Sequence, residues 1–209
     1  IVNLLNTLRF QGAMTYLLNE KTDLFLTSKD AFLPRPRPAS FRLDQAAKGK
    51  EIVFSWQPTA PYANARFDYL KRILLKRKYK FSADEVVRTF LTELWTYLNS
   101  PSSPWINCFE NRDIPKEGSV KRLSHKTWKI ILTGKNYSGW MSCDKCQNIT
   151  YGSVDDVCAT YACSGSLNPL TEKSIGFKDN LYKDEYLTSN PIVLTANEHT
   201  AQWTAKEAA

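Results

Sequence analysis

The chain has 209 residues, of which 43% are hydrophobic, and its formal net charge is +7 at neutral pH. This length accommodates one large domain or two small ones with a sizeable core. The excess of basic residues suits nucleic acid or another anionic surface as a partner. Polar residues, including Asn3, Asn6 and Arg9, interrupt the apolar N-terminal stretch and exclude a membrane span or signal peptide there.

The first sixty residues are predicted to form a helical linker and an extended connector. Leu4, Leu8 and further apolar residues recur at helical spacing, which predicts a helix over residues 1–20. The alternating prolines and arginines of residues 34–38 forbid a helix and favour an extended, basic connector. Residues 51–56 are predicted to form a short strand.

Two helices are predicted in the next region, residues 61–136. Residues 63–79 carry an apolar stripe at helical spacing. The second helix follows Ser82 and Glu85, whose spacing is that of a capping box. Apolar residues from 86 to 98 give it one continuous apolar face.

A basic hairpin is predicted after these helices. Residues 121–123 and 127–132 read as two short strands joined by a polar turn that contains His125. Two helices followed by a basic hairpin are typical of a winged-helix unit. Residues 61–136 are therefore predicted to form a winged-helix-like region.

Four of the five cysteines are spaced as metal ligands, and Cys108 is the fifth. Cys143 and Cys146 are separated by two residues, and Cys158 and Cys163 follow about a dozen residues later, a spacing typical of a closed structural Zn²⁺ site. We therefore predict one zinc ion per chain in a zinc-ribbon-like module over residues 137–168. Disulfides or unpaired core thiols are the alternatives. The odd cysteine count with this spacing indicates a reducing, cytoplasmic compartment.

The sequence predicts no catalytic residue. Four sulfur ligands leave no open position on zinc for a reacting water. The two histidines, His125 and His199, are far apart and outside any HExxH pattern, and no phosphate-binding loop is present. The fold class predicted overall is α+β, with a helical, winged-helix-like region followed by the zinc module.

Basic residues cluster in the first predicted helix of the winged-helix-like region and again in its hairpin. If the two clusters are adjacent they form a phosphate-binding surface, although a solvated helix face explains the first cluster equally well. The predicted nucleic-acid contacts are Arg66, Lys71, Arg72, Lys76, Arg77, Lys121, Arg122, Lys126 and Lys129.

The cysteine module and the segment Glu198-His199-Thr200-Ala201-Gln202 together resemble a family of large bacterial superfamily 2 DNA helicases of the DEAD/DEAH type. The family has a four-cysteine zinc module and includes helicases of the Druantia and DISARM anti-phage systems and of mitomycin-damage repair. The resemblance covers residues 137–209 and, more loosely, residues 1–20.

The resemblance implies that the chain lies between the two RecA-like lobes of a DNA translocase. The lobes of the parent protein would bind ATP and Mg²⁺, whereas this chain would contribute a DNA-contacting surface for a single strand or duplex junction. Residues 169–209 would lead into the second lobe, with Glu198, His199, Thr200 and Gln202 near its strand-tracking face.

Two other functions fit the same sequence. One is a stand-alone regulator in which a zinc ribbon and a winged helix bind DNA. The other is an adaptor for proteins, in which the zinc is purely structural and the basic charge binds an acidic partner. The first residue is Ile1 and the last residues resemble the opening of a helix, so we expect a piece of a longer protein.

Overall fold

The structure is a computed structural model that describes residues 1–14, 39–44, 46–48, 52–79, 82–115, 118–128, 138–171 and 174. This part of the chain has a mixed α+β fold with three α-helices and two sheets, in agreement with the predicted class. The basic connector at residues 34–38, Lys129 and the motif at residues 198–202 lie outside the described residues.

The three α-helices are α1 (Val2–Phe10), α2 (Ala65–Lys76) and α3 (Ala83–Leu98). The Asn64 side chain caps α2 by accepting a hydrogen bond from the Phe67 amide at 3.0 Å. Ser82 occupies the N-cap of α3, but its side chain makes no capping hydrogen bond. The predicted capping box is therefore wrong in its contacts, although it places the start of the helix correctly.

The first helix is half as long as predicted. It ends at Phe10, and Gly12 follows with a φ of +76°, a left-handed conformation that glycine adopts readily. Beyond this turn Met14 bridges Leu123 in parallel, so the chain has become extended. In the sequence the helical spacing of apolar residues continues past Gly12, but the helix itself ends at Phe10.

The larger sheet has five strands in the order β2-β3-β1-β5-β4. Strands β1 and β3 run parallel, and the other neighbouring pairs are antiparallel. Strands β1 to β3 precede residue 60 and strands β4 and β5 follow it, so this one sheet combines the predicted linker with the predicted winged-helix-like region. The bounds are β1 (Ala39–Arg42), β2 (Ala47–Lys48), β3 (Ile52–Ser55), β4 (Phe109–Ile114) and β5 (Gly118–Leu123).

The basic hairpin lies earlier in the chain than predicted. Strand β5 contains residues 121–123, but it pairs with β4, which precedes it, and with β1 on its other side. Both edges of β5 are thus occupied by β4 and β1, and residues 129–132 of the predicted second strand lie outside the described residues. His125–Thr127 form a short 3₁₀-helix.

The hydrophobic core lies between the larger sheet and the helices. Phe41 of β1 is fully buried and meets the rings of Trp95 and Phe109 edge to face. Trp56, which follows β3, is also fully buried, and its indole donates a hydrogen bond of 2.8 Å to the Leu91 carbonyl in α3. Aromatic residues thus attach α3 to the sheet.

Arg66 belongs to this core and not to a nucleic-acid surface, which corrects its predicted role. Its side chain is 1% exposed and donates to the carbonyls of Ser55 and Trp56 and to the Thr7 hydroxyl. Burial lowers the pKa of Arg66 to about 9, so the guanidinium is still charged at neutral pH. These three bonds connect α1, α2 and the end of β3.

The smaller sheet has three strands in the order β7-β6-β8. They are β6 (Trp140–Cys143), β7 (Ile149–Tyr151) and β8 (Leu167–Pro169), and both pairs are antiparallel. In the described part of the chain no helix combines the length and the apolar character that crossing a lipid bilayer requires.

Candidate metal centre

The four cysteines lie at the ends and in the connections of the smaller sheet. Cys143 is the last residue of β6, and Cys146 lies in the turn between β6 and β7. Cys158 and Cys163 lie in the longer connection between β7 and β8. Strand β8 pairs with β6, with Leu167 opposite Cys143, so the connection from β7 to β8 ends beside the turn between β6 and β7. The fold therefore brings the two pairs together.

The four sulfur atoms all lie within 4.8 Å of one another. Between the two pairs, the sulfur atoms of Cys146 and Cys158 are 3.5 Å apart, and those of Cys143 and Cys163 are 3.6 Å apart. Four sulfur ligands about 2.3 Å from a common centre are the arrangement of a closed tetrahedral site. This cysteine cluster could hold a metal ion, as the sequence predicted, whereas Cys108 lies outside it.

Backbone geometry at two positions shapes the cluster. Gln147, directly after Cys146, has a φ of +59°, which turns the chain back so that the Asn148 carbonyl accepts a hydrogen bond of 3.0 Å from the Cys143 amide. Gly165 lies against the first turn, where an added Cβ would be 2.4 Å from the Cys143 sulfur and 2.6 Å from an Asp144 carboxylate oxygen. Close approach, rather than an unusual φ, thus explains why residue 165 is glycine.

The surroundings of the cysteines shift their thiol pKa values in different directions. Burial raises the pKa of Cys146, but hydrogen bonds with Thr160, the Asn148 backbone and neighbouring thiols outweigh burial and lower the pKa to about 6. Burial raises the pKa of Cys158 to about 12, and it also raises the pKa of Cys163. Because metals bind thiolates, binding of a cation by these cysteines would be accompanied by release of thiol protons.

Contacts from α1 and α2 fix this module to the larger core. Val157, next to Cys158, is buried in the main hydrophobic cluster. The Tyr69 hydroxyl in α2 is 2.9 Å from the Ser153 hydroxyl and accepts from the Val154 amide. The Asn3 side chain in α1 donates to the Gly152 carbonyl at 3.2 Å. These contacts hold the module through residues 152–157, which belong to the connection between β7 and β8.

Most of the predicted nucleic-acid contacts in α2 bind this module or α3. Lys76 donates to the Asp155 carbonyl and Arg77 pairs with the Asp155 carboxylate. Arg72 donates to the carbonyls of Thr160 and Cys163, and Lys71 pairs with Asp84 of α3 at 2.7 Å.

Of the predicted nucleic-acid contacts in β5 and just after it, two bind the protein itself and one is exposed. Lys121 donates to the Asn111 side chain, and Arg122 donates to the Ala39 carbonyl. Lys126, in the 3₁₀-helix, is exposed. The predicted contacts that lie in α2 and in β5 therefore bind other parts of the protein.

Several residues with a role at the centre were missed from the sequence. Asp68 accepts a hydrogen bond from the Ala162 amide, the Thr160 hydroxyl lies 3.4 Å from the Cys146 sulfur, and Asp155 binds two basic side chains. Only the pairing of Asp68 with Arg72 has a local signature, since carboxylate and guanidinium four residues apart meet on a helix.

Comparison with protein-family models, with curated proteins and with solved structures found no match to this chain.

Replacing Gly165 by alanine tests the packing of the cluster. The added methyl overlaps the Cys143 sulfur and the Asp144 carboxylate, so we expect Gly165→Ala to lower the free energy of unfolding by about 1–3 kcal/mol. Chemical denaturation followed by circular dichroism measures the change. Ser166→Ala, at the next and exposed position, is the control and should stay within about 0.5 kcal/mol of the wild type. Equal stability of the two variants would show that the contact is absent.

Proposed function

We propose that Cys143, Cys146, Cys158 and Cys163 bind one structural Zn²⁺ ion. The observation that carries this proposal is the convergence of four sulfur atoms within 4.8 Å. Soft thiolate ligands in a tetrahedron select zinc or iron over magnesium and calcium. With four sulfur ligands the coordination sphere is full, so the ion would stabilise the module without activating water.

The placement of the ligands supports a zinc-ribbon-like module. One pair lies at the turn of the β6–β7 hairpin and the other in the connection that returns to β8. A metal bound between them would cross-link the two connections of a three-stranded sheet. In such small modules the free energy of metal binding is part of the free energy of folding.

We further propose that the chain is a non-catalytic, DNA-binding segment of an ATP-dependent helicase that acts in phage defence or DNA repair. The resemblance of the cysteine module and of residues 198–202 to the helicase family supports this proposal, and so does the net charge of +7. In this function ATP and Mg²⁺ bind only to the parent protein. Lys126 and the partly exposed Lys71 remain accessible to phosphate.

A zinc-stabilised adaptor for other proteins is the second candidate. The use of Arg66, Arg72, Arg77 and Lys121 within the protein reduces the positive surface that a DNA backbone needs, whereas the structural role of zinc in an adaptor is unaffected by it. A stand-alone zinc-ribbon and winged-helix regulator would need that same surface. DNA binding therefore separates the adaptor from both DNA-binding functions.

Metal analysis tests the zinc proposal. We expect the purified chain to retain one equivalent of zinc after desalting, and Cys146→Ser to retain none, because removal of one thiolate opens the closed site. Elemental analysis by plasma mass spectrometry measures the ratio of metal to protein.

Cys108→Ser is the matched control, since Cys108 lies outside the cluster, and it should retain the full equivalent. A wild-type chain with no metal, or with disulfides between the four cysteines, would contradict the proposal.

Salt dependence tests the DNA-binding proposal. If three phosphates are neutralised, affinity for a labelled single strand should fall about 20-fold between about 50 and about 200 mM salt, because bound counterions are released. Fluorescence anisotropy measures the affinity.

Lys126→Ala should weaken binding, and Lys48→Ala, an exposed lysine on β2, should not. Undetectable binding at low salt would favour the adaptor.

A further inference from the structure

We propose that Asp68 and Arg72, one turn apart on α2, are positioning residues for the metal ion, because they hold the Thr160–Cys163 segment in its ligating conformation. The proposal depends on the zinc site proposed above and adds to it two residues outside the cysteine cluster. Neither side chain touches the metal position. Each acts through the backbone that carries Cys163.

The Arg72 guanidinium makes three directed contacts. Its Nη1 donates to the Cys163 carbonyl at 2.6 Å, its Nη2 donates to the Thr160 carbonyl at 2.9 Å, and its Nε donates to the Asp68 carboxylate at 3.0 Å. The side chains of Arg72 and Asp68 are only 19% and 21% exposed. Shielding from water makes these charged hydrogen bonds stronger than bonds at an open surface.

Asp68 holds the middle of the same segment. Its carboxylate accepts a hydrogen bond from the Ala162 amide at 2.9 Å. Ala162 has a φ of +55°, a left-handed conformation that residues other than glycine disfavour. The external acceptor therefore stabilises a backbone turn that the sequence does not favour by itself, immediately before the ligand Cys163.

The directed hydrogen bonds of Asp68 and Arg72, rather than their charge, explain how they support the ligand segment. Asp68 neutralises Arg72 at 2.8 Å, so the pair brings little net charge to a cluster of four thiolates. The guanidinium, however, is a planar fork whose donors reach the carbonyls of Thr160 and Cys163 and the Asp68 carboxylate together. A lysine ammonium is a single point on a flexible stem and cannot span the same three acceptors.

The same residues connect metal binding to the main core. Helix α2 that carries Asp68 and Arg72 also carries the buried Phe67 and Ile73. These two residues therefore couple ordering of the Thr160–Cys163 segment to its packing on α2. A bound metal should stabilise both, and loss of the Arg72 contacts should weaken metal binding.

The experiment measures Zn²⁺ affinity of the full chain by competition with a chromogenic chelator. We expect Arg72→Gln and Arg72→Lys each to weaken binding about 10- to 100-fold, as is typical for residues that orient metal ligands. Arg77→Gln is the matched control: Arg77 directly follows α2 as its C-cap residue and binds the same module through Asp155, but its contacts avoid the Thr160–Cys163 segment. It should keep wild-type affinity.

A spectroscopic measurement separates positioning from general destabilisation. With Co²⁺ in place of Zn²⁺, the visible bands report the tetrahedral geometry of the ligands, and we expect them to shift in Arg72→Lys but not in Arg77→Gln. If Arg72→Gln fails to fold, Asp68→Ala, which removes the acceptor for the Ala162 amide, should show the same loss of affinity.

Wild-type affinity and an unshifted cobalt spectrum in Arg72→Gln would overturn the positioning role while leaving the zinc site intact. Full rescue by Arg72→Lys would also overturn it, because charge alone would then suffice. A wild-type chain that binds no zinc would instead refute the zinc site itself.

Discussion

The cysteine module cannot be held together by a hydrophobic core, and the rest of its structure follows from this constraint. Its own buried cluster consists of Cys143, Cys158 and Leu167, and its strands have only three or four residues. Modules of this size need a cross-link or a bound metal for stability. Four sulfur atoms at the centre supply the ligands for such a metal, and α2 supplies an external support for the connection that carries two of them.

The basic residues of this protein serve its own architecture. Arg66 replaces hydrophobic packing at the junction of α1, α2 and β3 with three hydrogen bonds to buried acceptors, while Arg72 and Arg77 attach the cysteine module. A guanidinium suits these positions because its donors reach several acceptors at once. In the described part of the chain these guanidinium groups are therefore engaged within the protein, which reduces the positive charge that they can offer to a DNA strand.

Most local features could be predicted from the sequence, and nonlocal ones could not. The stripes of α2 and α3 and the cysteine spacing depend on neighbours within a few residues, and the structure agrees with them. Arg66 was misassigned because its partner Thr7 lies 59 residues away. One local pairing was also missed: β5 pairs with β4, directly before it, whose central residues Glu110 to Asp113 are all polar and lack an alternating apolar pattern. For Gly165, the contact with Cys143 across the fold, rather than a turn, explains the residue.

The central claim is that a single ion occupies the space between the four sulfur atoms. X-ray absorption at the zinc edge of the purified chain tests it most directly, since it counts the ligands and measures their distances. The account predicts one shell of four sulfur atoms at about 2.3 Å. A shell with nitrogen or oxygen ligands, or a sample with an iron edge and no zinc edge, would contradict it.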